Sequence, residues 1–163
     1  MGFYVIQFLT GLASASSLFL IAAGLSIIFG VTRILNFAHG SLYMLGAYIG
    51  YTLITHLSPG PIGFWLAVLA AATVVGLVGV AIELGLLRRI YQAPELFQLI
   101  ATFGVILIVS DITRFIWGEE DLVGPRAPGL SEAVETFGHP LPQYDLALIV
   151  LGPLVLGVTW LLF

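Results

Sequence analysis

Between Phe3 and Thr32 the chain carries no charged residue, and a run of that length permits few folds. A helix that crosses a bilayer needs roughly 20 consecutive apolar residues, and this stretch exceeds that. The rest of the chain is of the same kind, with 60% hydrophobic and 9% charged residues against about 25% charged in soluble domains. Membrane barrels are built from segments of about ten residues that alternate apolar and polar positions. Runs such as Leu18–Phe29 do not alternate. The fold class is therefore all-α, a polytopic membrane helix bundle.

Five apolar segments follow along the chain: Val5–Val31, Ser41–Leu57, Gly63–Leu87, Leu96–Trp117, and one that opens near Tyr144 and is still apolar at Phe163. About five transmembrane helices are expected. Ser58-Pro59-Gly60-Pro61 reads as a turn. Pro94-Glu95 suits a helix start, because proline loses nothing in the first turn and an acid complements the helix dipole there. Gly118–Gln143 reads as a polar, proline-containing loop. The first segment reads as an uncleaved span, since Met1-Gly2-Phe3-Tyr4 lacks the basic region of a secretory signal. The last residues, Thr159–Phe163, are helical in character with no flanking charge, so the chain reads as the N-terminal piece of a longer protein.

Arg88-Arg89 is the densest basic site in a short loop, and the positive-inside rule assigns that loop to the cytoplasm. Arg33 then falls on the same side, while the N-terminus and the Gly118–Gln143 loop fall outside. The outer loop carries Glu119, Glu120, Asp121, Glu132 and Glu135 against Arg126 alone. Net charge is −4, with no basic stripe for nucleic acid.

Several chemistries are excluded. The chain has no cysteine, hence no disulfide, thiolate metal site or cysteine nucleophile. It has no lysine, so no Gly-x-x-x-x-Gly-Lys-Ser/Thr phosphate loop is possible; any nucleotide is bound by another chain. The three histidines, His39, His56 and His139, are scattered, and no metal site is expected. No Gly-x-Ser-x-Gly or His-Glu-x-x-His motif occurs, and Asp111 lacks the second carboxylate of a hydrolytic dyad. The chain is not read as an enzyme and no cofactor is expected.

The break Asn36-Phe37-Ala38-His39-Gly40 separates the first two apolar segments. Such a polar, glycine-ended interruption admits two readings. In one it is a connection, with Asn36 and Gly40 ending one helix and starting the next, since both tolerate a left-handed backbone. In the other it lies on a transport pathway, where discontinuous helices expose backbone groups to a solute. The pathway candidates are then Asn36, Phe37, His39, Gly40 and Tyr43. Small residues four apart allow helices to approach closely in lipid; Ala22, Ser26 and Gly30 form such a row on the first helix, Gly46 and Gly50 on the second, Ala72 and Gly76 on the third. Asp111 and Arg114 lie three apart and read as an intramembrane ion pair of structural role, with a coupled-ion site as the alternative. Trp117 reads as an interfacial anchor. Glu83, Tyr91, Gln92, Glu95 and Gln98 border the inner loop, as solvated groups or as contacts for a cytoplasmic partner.

The stretch from Ala23 to Tyr48, containing Gly24-Leu25-Ser26-Ile27-Ile28-Phe29-Gly30, Asn36-Phe37-Ala38-His39-Gly40 and Leu45-Gly46-Ala47-Tyr48, closely resembles the N-terminal signature of LivH-type permeases. These are membrane subunits of branched-chain amino-acid ABC importers. Ile82-Glu83, Leu87-Arg88-Arg89-Ile90-Tyr91 and Leu99-Ile100-Ala101-Thr102-Phe103-Gly104 fit the same pattern. The resemblance implies that residues 1–163 form a transmembrane permease domain, truncated at its C-terminus, in a bacterial inner membrane. It implies a LivM-type permease partner, two cytoplasmic ATPase subunits, and a periplasmic or extracellular solute-binding protein that delivers branched-chain or related small amino acids. The competing classes are a non-transporting membrane scaffold and a secondary transporter using Asp111 and Arg114.

Overall fold

A computed structural model of the chain describes residues 2–33, 36–56, 60–120, 122–136 and 138–162. Each of the five apolar segments is helical over its described residues. Helix α1 spans Gly2–Thr32, α2 His39–His56, α3 Pro61–Ile82, α5 Glu95–Trp117 and α6 Gln143–Leu162. Helix α3 runs on through a π turn, Glu83–Leu87, into the short α4, Arg88–Ile90. Four of these stretches are long and apolar enough to cross a membrane, namely Gly2–Val31, Pro61–Ile90, Glu95–Trp117 and Gln143–Leu161. Helix α2 is the fifth. Its 18 residues reach about 27 Å at 1.5 Å per residue, but Ser41, three tyrosines, two threonines and its terminal histidines dilute its apolar character.

Prolines and glycines set the helix limits. Pro61 occupies the first turn of α3, where its missing N–H costs nothing; Ser58 and Pro59 of the expected turn, and Leu57 before it, lie outside the described residues. Pro94 sits just outside α5, at its N-cap, and its carbonyl accepts the Phe97 N–H at 2.9 Å. Gly118, at φ 84°, ends α5 and donates to the Arg114 carbonyl at 2.8 Å, the left-handed stop that glycine adopts most readily.

The expected loop after α5 is not wholly irregular. Two strands, β1 (Ala133–Thr136) and β2 (His139–Pro142), form an antiparallel hairpin; Asp121 of the acidic set lies outside the described residues. The strands escape a reading by composition because β2 holds two prolines in four residues, which argues against a strand unless it is an edge.

The chain divides into two compact units. In the unit Leu25–Pro125, α2 packs against both α3 and α5. Ala38, Leu45, Val105 and Val109 are buried together, with Leu42, Ile49, Val78, Ile82 and Trp117 around them. The most polar helix, α2, thus has neighbours on two sides, as expected where lipid cannot satisfy polar groups. Gly46 and Gly50 face α3: a Cβ on them would stand 3.5 Å from Val75 Cγ2 and 3.8 Å from Ala71 Cβ. On α3 this contact uses Ala71, which is buried, and Val75, while Ala72 is exposed and a Cβ on Gly76 would meet nothing within 4 Å. Trp117, read as an anchor, donates from Nε1 to Thr52 Oγ1 at 2.7 Å and tilts against Tyr48 with ring centres 5.4 Å apart. It ties the end of α5 to α2.

The other unit comprises residues 1–24 and 126–162 with the chain end. Here Ser16 of α1 and Gly152 of α6 meet closely, with Ala13 and Ser16 buried. Leu141 of β2 is fully enclosed. Many hydroxyls of both units bond back to their own helix, as Thr113 does to the Val109 carbonyl at 2.8 Å and Thr159 to Val155 at 2.9 Å. No buried side-chain nitrogen or oxygen lacks a partner among the described residues. Large apolar side chains such as Phe115 (91% exposed) and Trp160 (84%) lie open, which requires lipid or protein around them rather than water.

Candidate functional site

The break between α1 and α2 is built around two residues that leave the helical backbone. Arg33 stands at φ 56° and donates its N–H to the Phe29 carbonyl at 2.8 Å. It closes α1 in the left-handed conformation expected at Asn36 or Gly40. Ile34 and Leu35 lie outside the described residues. Asn36 is buried and caps α2: its Oδ1 accepts the Ala38 N–H at 3.1 Å, and its carbonyl accepts the His39 N–H at 3.2 Å. This side-chain turn replaces an orphan helix-start bond. Ala38, fully buried, accepts from both Ser41 Oγ (2.8 Å) and the Leu42 N–H (3.0 Å). The break is a compact, hydrogen-bonded entry into α2.

The five pathway candidates divide accordingly. Asn36 faces inward as a cap and His39 is half-buried, whereas Phe37, Gly40 and Tyr43 are exposed. Gly40 lies inside α2 with no positive φ, and a Cβ added there would meet nothing within 4 Å. Gly40, Tyr43, Ala47 and Tyr51 recur at the i, i+3, i+7 and i+11 spacing of one helix face; the first three are exposed and Tyr51 half-buried. This stripe runs along α2 from Gly40 to Tyr51, open over its first three members and away from Ser41 and Leu45, which are buried. Sequence reasoning stops at Tyr43, although the same spacing carries on to Ala47 and Tyr51.

Elsewhere the sequence candidates are less gathered. Ala22, Ser26 and Gly30 are exposed on α1, and a close contact of that helix is made by Ser16. Asp111 and Arg114 are both exposed on α5, and no salt bridge joins them among the described residues. At the Arg88-Arg89 end, the π turn is defined by the Arg88 N–H donating to the Glu83 carbonyl five residues back. Tyr91 donates its hydroxyl to Glu83 Oε1, a link two turns long that pairwise helix spacing does not anticipate. Gln98 Nε2 donates to the carbonyls of Ile90, Tyr91 and Ala93 at 3.3, 3.3 and 3.0 Å, closing the loop between α4 and α5.

The hydrogen bond to Glu83 holds the Tyr91 phenol above the ordinary tyrosine range; desolvation and the Glu83 charge add to this, and Arg88 opposes it. A raised folded-state value means that the link contributes fully below the unfolded value of about 10 and is lost as pH rises through the folded value. Absorbance titration of the phenolate should therefore contain a late-ionising step from Tyr91. The late step should vanish in Tyr91→Phe; its persistence there would remove the assignment.

Residues 7–163 match the family described as "Branched-chain amino acid transport system / permease component". Among curated relatives, the high-affinity branched-chain amino acid transport system permease protein LivH of Escherichia coli is 28% identical over 164 residues, covering 98% of this chain and 52% of the relative. LivH of Salmonella typhimurium is 28% identical over 128 residues, 76% of this chain and 42% of the relative. The permease protein BraD of Pseudomonas aeruginosa is 31% identical over 113 residues, 66% of this chain and 37% of the relative. The chain thus spans about half the length of the Escherichia coli relative. No solved structure matches the chain.

Proposed function

The chain belongs to the family of branched-chain amino acid transport system permease components, and from that premise we propose that it is a membrane-spanning part of an ATP-binding-cassette importer in a bacterial inner membrane. It works with a LivM-type permease subunit, two cytoplasmic ATPase subunits and an external solute-binding protein, and it moves branched-chain or related small amino acids. The observation that carries this reading is the open stripe of α2, entered through the Asn36-capped break. It offers a glycine, an alanine and two tyrosines, a small and aromatic lining that suits a solute with an apolar side chain. Hydrogen-bonding groups at the break, His39 among them, suit the polar end of an amino acid.

The chain has no lysine and so no nucleotide loop of its own; ATP-driven closure of the ATPases rocks the helices about the break, giving alternating access. Arg88 and Arg89 lie on the cytoplasmic side and the hairpin on the outer side.

The test is uptake of radiolabelled leucine by the complete importer in vesicles, with and without an ATPase variant that binds but does not hydrolyse ATP. Uptake that needs hydrolysis supports the importer. Uptake that persists without it and follows an imposed proton or sodium gradient overturns this reading in favour of a secondary transporter.

A further inference from the structure

The hairpin has one closed edge and one open edge. Ala133 lies opposite Pro142, Val134 opposite Leu141, Glu135 opposite Pro140 and Thr136 opposite His139. Antiparallel pairs alternate between those that exchange both backbone hydrogen bonds and those that exchange none. Proline has no N–H, so the pairs containing Pro140 and Pro142 are the non-exchanging ones. The Gln143 N–H bonded to the Glu132 carbonyl at 3.0 Å fixes the same alternation one step further. The hairpin is therefore held through Val134–Leu141 and Thr136–His139, and the N–H and C=O groups of Ala133 and Glu135 point away from β2.

The outward positions of β2 are the two prolines, which offer no donor to a further strand. That edge is blocked, as natural sheets block edges against unwanted pairing. The β1 edge has no such protection. Ala133, Val134 and Glu135 are exposed, and no bond from the outward N–H groups occurs among the described residues.

We propose that the β1 edge is a strand-addition site for an extended segment of a partner protein carrying lysine or arginine at alternate positions. Strand addition to a sheet edge draws affinity from main-chain bonds and selectivity from alternate side chains. Ala133 and Glu135 offer up to four such bonds in two groups about 7 Å apart. Selectivity comes from charge. Glu135 is exposed on this edge, and alternate residues of an added strand share the one face on which it is met. A basic residue opposite Glu135 makes a favourable cross-strand pair. The inference rests on the hairpin alone, so the uptake experiment can fail while it stands, and the reverse.

The probe is a fluorescent Arg-Thr-Arg-Thr-Arg peptide, titrated against the chain in phosphatidylcholine nanodiscs, whose zwitterionic lipid does not itself attract the peptide. The peptide is expected to bind and to slow amide exchange at Ala133 and Glu135. Methylating the peptide's amide nitrogens that face the edge should weaken binding at least about tenfold, close to 1.4 kcal/mol. Ala133→Pro, which repeats the pattern of β2 and removes one outward donor, should weaken it likewise, and Glu135→Gln should remove the preference over Glu-Thr-Glu-Thr-Glu. Equal binding of the methylated peptide would reduce the site to general charge attraction and overturn the proposal. So would no binding at all, or a concentration-dependent dimer that Ala133→Pro dissolves, which would give the edge to a second copy.

Discussion

The Gly152→Leu variant is expected to lose most of its folded protein, seen as aggregation or early unfolding when nanodisc samples are heated. A Cβ at position 152 would lie 2.8 Å from Ser16 Oγ and 2.9 Å from Ser16 Cβ, well inside the 3.5–4.0 Å at which carbon contacts become favourable. The hydroxyl can rotate aside, but the Ser16 Cβ cannot, and Ser16 is buried. Two effects compete in Gly152→Ala. Alanine gains about 0.8–1 kcal/mol of helix propensity over glycine, while overpacking costs about 1–3 kcal/mol. The contact distance says that the clash wins, so Gly152→Ala should destabilise slightly and Gly152→Leu severely.

Ser16→Gly would leave only the Ser16 Cα, at 3.5 Å from the new Cβ, which is ordinary contact. The Ser16→Gly/Gly152→Ala pair should therefore recover stability beyond the sum of its single changes, with a coupling of about 1 kcal/mol or more in a double-mutant cycle. A Gly152→Ala chain more stable than the starting protein would refute the close approach of α1 and α6. Lipid supplies no hydrophobic drive between helices, so a contact between small residues of this kind holds by fit, and fit is what the added atoms remove.

What is legible in the sequence follows from which forces leave a local mark. Charge-free runs mark spans, so the limits of α1, α3, α5 and α6 lie within a few residues of those read from Val5, Gly63, Leu96 and Tyr144. Asn36 is legible as a helix boundary, because few side chains cap a helix so well. The left-handed residue is not, since Arg33 has no local preference for that backbone; the need to close α1 overrides its propensity. The π turn at Glu83–Leu87 is hidden, because one extra residue in a uniformly apolar helix changes no visible periodicity. Contacts between distant helices, such as Ser16 with Gly152 or Trp117 with Thr52, leave no sign in a glycine-rich and tryptophan-bearing membrane sequence. The α2 stripe is half visible: Gly40 and Tyr43 stand out beside the break, whereas Ala47 and Tyr51 take meaning only once the buried side of α2 is known.

Gly40→Leu is expected to lower leucine uptake by the complete importer at least about tenfold, close to 1.4 kcal/mol, while its level in the membrane stays unchanged. The two halves of that result come from different physics. Gly40 lies within α2 at a negative φ, and a side chain there meets nothing within 4 Å. Leucine is also the better helix former by most of a kcal/mol, so the fold has no reason to reject it. Helix α2 keeps its Asn36 cap and its contacts through Gly46 and Gly50, which lie on another side of the helix. A deficit in uptake then reports on the space in front of the stripe rather than on folding. In the proposed cycle that space is where the solute passes the break, and four added carbons project into it. Gly40→Ala should fall between, and Ala47→Leu, further along the same face, should repeat the loss if the stripe is a track rather than a single gate. Normal uptake by Gly40→Leu at normal membrane level would take the break out of the pathway, leaving it as the hydrogen-bonded connection that its geometry already makes it.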